Sequence, residues 1–294
     1  MLFGQKLKSA FRNAFILLVG THPSALPEET LGLNDEIDAV AIGEFDETVE
    51  SVATTLEKGG DITSVKGLAI RTDDGGVVNT GMASHIVNLD KIPFASEFIK
   101  DYLWERDYFF PAAHYPSIQI FTGRGCPWQC NFCVYPQTMH GHQYRARSSQ
   151  NVVEEFEYIA DNFPDVKEVV IEDDTFTVDK RHVKEICDLL IEKGLQKRLR
   201  WLCNARANTL DFETMRIMRA AGCRLIIPGI ESGTQAILDN IKKGTRVEQF
   251  SEYVKNAKKA GLLIHACYMV GNNGETKETM ESTLRLARKL NTDT

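Results

Sequence analysis

From residue 117 onward the chain repeats a single unit: a short β-rich apolar run, then an amphipathic helical stretch. The runs fall at residues 117–121, 168–171, 199–203, 224–227 and 262–269. Between them Val152, Phe156, Ile159 and Phe163 form one apolar stripe, and Phe250, Tyr253, Val254 and Ala257 form another. Thr245-x-x-Glu248 has capping-box spacing, and Gly194, Gly222 and Gly261 stand where helices should stop. Units of about 25–35 residues are too long for hairpins and imply parallel strands with crossover helices. That restricts the fold to a (β/α) barrel or a doubly wound sheet. Both place their chemistry at the carboxyl ends of the strands.

The loop after the first of these strands reads Gly125-Cys-Pro-Trp-Gln-Cys-Asn-Phe-Cys-Val134. Cys126, Cys130 and Cys133 have C-x3-C-x2-C spacing, with Phe132 just before the third. Thiolates crowded on a loop suit an iron–sulfur cluster or structural zinc. A closed zinc site could take His140 or His142 as its fourth ligand. A four-iron cluster on three thiolates would instead leave one iron open, as catalytic metal sites do.

Later strand ends carry further polar groups. The second ends in Glu172-Asp-Asp-Thr175, whose Asp173 and Asp174 need solvent, a cation or a ligand ammonium nearby. An exposed acidic helix start is the plainer reading of that pair. The third ends at Arg206 and the fourth at Glu231-Ser-Gly233. Arg206 and Glu231 could hold a ligand, or could form a salt bridge with each other. The fifth runs into Gly271-Asn-Asn-Gly-Glu275, a turn that offers backbone N–H groups.

In this order on successive strands, the motifs resemble the radical S-adenosylmethionine (radical SAM) superfamily over about residues 117–294. The resemblance implies a partial (β/α)6 barrel with five βα units. It implies a [4Fe–4S] cluster on Cys126, Cys130 and Cys133, shielded by Phe132. SAM would be held by the open iron, Asp173 or Asp174, Arg206, Glu231, Ser232, Gly271, Gly274 and Glu275. The family's turn has proline where Asn273 stands. No residue is assigned a catalytic role. The implied activity is reductive cleavage of SAM and hydrogen abstraction from an unactivated carbon of a small-molecule or lipid substrate. A donor such as flavodoxin or ferredoxin would supply the electron. The contrasting reading is a zinc-stapled α/β binding protein, or a fragment that binds a cluster without turnover.

Residues 1–85 differ. Two short parallel strands at 15–19 and 39–42, a helix over 46–58, and a hairpin turning at 73–76 are expected. Gly20-Thr-His-Pro23 and Gly43-Glu-Phe-Asp46 look like the second half of a Rossmann-like cobalamin-binding domain. No Asp-x-His-x-x-Gly loop occurs, so His22 reads as a loop histidine, and cobalamin is possible in a domain expected to be incomplete. Residues 86–116 read as a packed linker, and the barrel is expected to be truncated before its sixth strand. Within the cobalamin class the chain is most similar to hopanoid-biosynthesis proteins of the cyclitol-forming type. Tyr135-Pro-Gln-Thr138 and Asn240-Ile-Lys-Lys-Gly244 carry part of that likeness. It implies methylation or another carbon-skeleton modification.

Composition excludes some alternatives. A net charge of −7 offers no basic field for nucleic acid. The apolar run at 14–20 is too short to span a bilayer, and no A-x-A cleavage site follows it. Single, scattered cysteines outside the loop suit a reducing cytoplasm.

Overall fold

The computed structural model describes residues 2–72 and 74–294 and divides into two compact units. One comprises Met1–Val87 with Cys133–Gln143, the other Asn88–Phe132 with Tyr144–Thr294. The sequence reading assigned all of 117–294 to one domain. In the structure the segment that begins at the third cysteine groups with the first unit.

The first unit contains α1 (Leu2–Ala10), β1 (Leu17–Leu18), α2 (Thr21–Ala25), α3 (Pro27–Gly32), β2 (Ala39–Ala41), α4 (Asp46–Glu57), β3 (Leu68–Arg71) and β4 (Val77–Asn79). Its sheet order is β1-β2-β3-β4, with β1 and β2 parallel and the other pairs antiparallel. Strand periodicity separates two cores. Ala39, Ala41, Leu68 and Ile70 face Val52 of α4, while Val40 and Ala69 pack with Leu31 and Ile37. The β3–β4 turn closes where expected, with Gly75 N–H and Thr72 carbonyl bonded; Asp73 lies outside the described residues.

The second unit opens with α5 (Ala95–Tyr102), so the expected linker contains a helix. There follow β5 (Ser117–Ile120), β6 (Gly123–Arg124), β7 (Arg145–Ala146), α6 (Ser149–Asn162), β8 (Glu168–Ile171), α7 (Lys180–Glu192), β9 (Arg200–Ala205), α8 (Phe212–Ala220), β10 (Cys223–Glu231), α9 (Gln235–Asn240), α10 (Val247–Ala260), β11 (Leu263–Ile264), β12 (Cys267–Tyr268) and α11 (Lys277–Leu290). The main sheet runs β5-β8-β9-β10-β11, every pair parallel. Strand order therefore follows chain order with no reversal, which is barrel-type winding and not a doubly wound sheet. Among the described residues β5 and β11 do not pair, so the sheet stays open.

Alternation decides which side chains meet the helices. Ile120, Ile171, Cys203, Ile226 and Ile264 form one register row across all five strands, each nearly fully buried. This row packs with Phe156, Ile186, Met215 and Phe250 in one continuous core. The opposite face buries Val170, Leu202 and Leu225 under Phe110 and Ala113 of the segment before β5. At its amino end Arg224 donates two hydrogen bonds to Glu168, at 2.7 and 2.8 Å, and a third to the Ala112 carbonyl at 2.6 Å.

Two local expectations are corrected. The N-cap of α10 is Arg246, bonded to the Gln249 side chain, and not Thr245. Gln235 displaces the threonine from that role by accepting from Val247 N–H while donating to the Thr245 carbonyl. The fifth strand is also split, because a bulge between Gly229 and Glu231 shifts the register of β10 against β12. Alongside β11, Asp293 and Thr294 donate to the Ile264 carbonyl at 3.1 and 3.2 Å.

Candidate active site

The first carboxyl-end loop is built on a carboxylate clamp. Asp173, just past β8, is buried, and it accepts from Thr122 N–H at 2.6 Å and Thr122 Oγ1–H at 2.5 Å. Asp174 accepts from Gly125 N–H at 3.1 Å. The adjacent aspartates thus fasten the start of the cysteine loop to the second strand. Burial pushes the Asp173 carboxyl up to about 6, against the opposing pull of hydrogen bonds from Thr122 and Gly123. The sequence reading offered Asp173 for SAM. In the structure both of its carboxylate oxygens already have partners.

Cys126 lies half-buried with its sulfur 4.0 Å from Thr175 Oγ1. Burial pushes its thiol up, partly opposed by the Trp128 N–H, the Thr175 hydroxyl and, more weakly, the Arg206 charge. Asn131 docks the middle of the loop, its N–H on the Ile241 carbonyl at 3.2 Å and its amide on the Asn240 carbonyl at 2.8 Å. Cys133 follows Phe132 directly, and its carbonyl accepts from Gln137 at 3.1 Å.

Two buried cations lie against the aromatic residues of this loop. Arg206, which directly follows β9, is 3% exposed; its guanidinium stands 4.3 Å from the Trp128 ring and donates to Cys130 Sγ at 3.7 Å. Lys243 Nζ stands 5.8 Å from the Phe132 ring. The sequence left open a salt bridge between Arg206 and Glu231. The structure instead pairs Glu231 with Lys243 at 2.8 Å, both buried. Glu231 adopts φ of 62°, a left-handed conformation that is costly outside glycine and is held by this ion pair. A Cβ at Gly229 would meet the charged ends of both Glu231 and Lys243, so the pair would have to shift to admit one.

The remaining predicted positions divide. Ser232 is fully buried, faces Thr283 Oγ1 at 3.3 Å and caps Thr234 N–H at 3.2 Å, a stitch to α11. Glu275 closes its own turn, accepting from Gly271 N–H at 2.5 Å and Asn272 N–H at 2.9 Å. Gly274, at φ 82°, makes room for the Asn240 amide, where a Cβ would come within 2.7 Å. Asn240 also donates to the Asn273 carbonyl at 3.4 Å, so it connects this turn to the cysteine loop through Asn131. Thr122, Trp128 and Asn131 were not singled out from sequence, and Asn240 and Lys243 entered only as members of the run 240–244, with no role at the site. Trp128 could have been, as the aromatic residue inside the cysteine motif; Thr122 and Asn131 had no local signal.

The donor set fits a soft-metal cluster. Three thiols share one short loop, and a buried guanidinium beside Cys130 has Nη2 unpartnered. Among the described residues no three His, Cys, Asp or Glu groups converge to hold a single ion.

Comparison with known proteins agrees. Residues 120–287 match the radical SAM superfamily. The chain is 32% identical over 286 residues to an uncharacterized methyltransferase of Pyrococcus horikoshii, covering 97% of this chain and 60% of that protein. It is 30% identical over 282 residues to the anaerobic magnesium-protoporphyrin IX monomethyl ester cyclase of Rubrivivax gelatinosus, covering 94% and 49%. The chain thus spans about half the length of the curated relatives it matches. In fold it is similar to the radical SAM methyltransferase TsrM of Kitasatospora setae, with a TM-score of 0.80 at 20% identity over 99% of this chain and 56% of that one. Sequential parallel strands, the cysteine loop after the first of them and the family match lead to one conclusion: the chain belongs to the radical SAM superfamily.

Proposed function

We propose that this chain carries the SAM-cleaving centre of an enzyme that functionalises an unactivated carbon. The superfamily's cofactors are a [4Fe–4S] cluster and SAM. The observation that carries the reading is the cysteine loop itself, pinned at the carboxyl ends of a parallel sheet by Asp173, Asp174 and Asn131. When bound, the cluster supplies one electron that splits SAM into methionine and a 5′-deoxyadenosyl radical. Cys126, Cys130 and Cys133 would hold the cluster. Phe132 would shield it, and the free Nη2–H of Arg206 is available to a ligand oxygen. Glu231 and the turn at 271–275 border the same strand ends and would position SAM, with Asp174 nearest to the loop backbone.

Methyl transfer to carbon is the favoured outcome, supported by the methyltransferases among the relatives. Ring formation is the second, supported by the cyclases. A lipid or secondary metabolite such as a hopanoid is the proposed substrate class. Cobalamin would be bound by the first unit, whose strand ends carry Gly20 and Gly43 at positive φ. A flavodoxin- or ferredoxin-type donor and a reducing cytoplasmic setting complete the proposal. Cys187, Cys203 and Cys223 are single thiols buried in the core, which suits that setting. No helix among the described residues is long and apolar enough to cross a membrane.

Anaerobic reconstitution with iron and sulfide tests the proposal. The expected product is brown and gives a four-iron paramagnetic signal on reduction. SAM should perturb that signal, and 5′-deoxyadenosine should be released. Stoichiometric zinc with no reconstitutable iron would overturn it in favour of a zinc-stapled binding protein.

A further inference from the structure

Arg206 is buried without a counter-charge. Its Nε–H donates to the neutral Asn208 Oδ1 at 3.0 Å, its Nη1–H to Cys130 Sγ at 3.7 Å, and its Nη2 has no partner. No carboxylate among the described residues forms an ion pair with it, although it is only 3% exposed. Lys243, the other cation beneath the loop, is neutralised by Glu231 at 2.8 Å. Burying an unpaired cation is strongly unfavourable unless an anion arrives to complete it. The group next to it is the sulfur of a proposed cluster ligand, and a thiolate there would make the bond charge-assisted.

On the reading that this loop holds a [4Fe–4S] cluster, we infer that Arg206 is a positioning residue that sets the cluster's reduction potential. It does so by hydrogen-bonding Cys130 and by holding an uncompensated positive charge against the ligand loop. Reduction adds one electron, and so one negative charge, with no bond made or broken. A fixed cation in a dry setting stabilises the reduced state more than the oxidised one and raises the potential. Hydrogen bonds to sulfur and local charge are the levers a protein has on such a centre. Trp128 fixes the guanidinium plane so that Nη1 meets the sulfur.

The test is an electron-paramagnetic-resonance redox titration of the reconstituted protein without SAM, with dithionite as electron donor. Arg206→Gln should lower the reduced-to-oxidised ratio at fixed potential at least tenfold, which is about 59 mV for a one-electron couple. Arg206→Lys should restore part of that shift. Asn208→Asp, at an exposed position that can fold normally, should lower the potential by partly neutralising Arg206 while leaving the sulfur bond. An unchanged potential in both Arg206→Gln and Asn208→Asp overturns the inference, even if SAM binds more weakly; Arg206 would then only hold SAM. If the glutamine variant does not assemble, the aspartate variant decides. Absence of a four-iron signal in the parent protein would instead overturn the cluster reading on which this rests.

Discussion

Two arginines, Arg206 buried and Arg224 partly buried, mark opposite ends of one sheet, and their surroundings differ. Arg224, at the amino end of β10, makes a two-pronged bond to Glu168 and a third to the Ala112 carbonyl. Glu168, 0% exposed, also accepts from His114 N–H at 2.6 Å. Arg224 Nε and Nη2 and both Glu168 oxygens have protein partners. Arg206, past the carboxyl end of β9, has a sulfur, an asparagine oxygen and an empty Nη2. The amino end completes itself and serves the fold. The carboxyl end is electrostatically unfinished, which is where a ligand contributes.

The sharpest way to break this contrast is to strip the carboxyl end of its thiols. Single alanine replacements of Cys126, Cys130 or Cys133 are expected to abolish cluster retention and 5′-deoxyadenosine release. Thermal unfolding should stay nearly unchanged, because these half-exposed side chains lie outside the core. Unfolding of all three variants would show a structural metal site instead.

The opposite perturbation is Glu168→Ala. It leaves the partly buried Arg224 without its carboxylate, and it should cost about 3 kcal/mol in urea denaturation. Iron content per folded molecule should not move. A loss of cluster binding at unchanged stability would erase the distinction between the two ends.

Asp173 tests whether the clamp beneath the loop is structural. Asp173→Ala strands two buried Thr122 donors and should be about 1–3 kcal/mol less stable than Asp173→Asn, which can still engage Thr122. Equal stability of the two variants would place the clamp among incidental contacts.

A graded effect at the same residue concerns pH. Burial raises Asp173 to about 6, above the unfolded carboxyl value near 4. Between these values the folded chain binds more protons than the unfolded one, so this group's contribution falls as pH rises and levels off above about 6. Relative to Asp173→Asn, the parent should lose up to about 3 kcal/mol across that window. A parent-to-variant difference that is flat from pH 4 to 7 would show the carboxyl to be unshifted.

Much of the fold was legible in the sequence because periodicity is a local property. Stripes such as Phe250, Tyr253 and Val254 bury one helix face, and Gly261, left-handed at φ 80°, ends α10 where it was expected to. The N-cap of α10 was misread because Gln235, on a different helix, competes with Thr245. The long fifth strand was misread because the bulge that divides it lies in its neighbour.

Sequence alone determined the three cysteines, their spacing, and their place after the first strand of a parallel βα series. Covalent distance and side-chain period are enough for each of these. Only the tertiary structure decided that strand order follows the chain, that Glu231 takes Lys243 as its partner, and that Asp173 belongs to Thr122. It also brought Arg206 to the sulfur of Cys130, 76 residues earlier in the chain. Which charges meet depends on the register of neighbouring strands, and that register is set by the whole packed sheet rather than by any one segment.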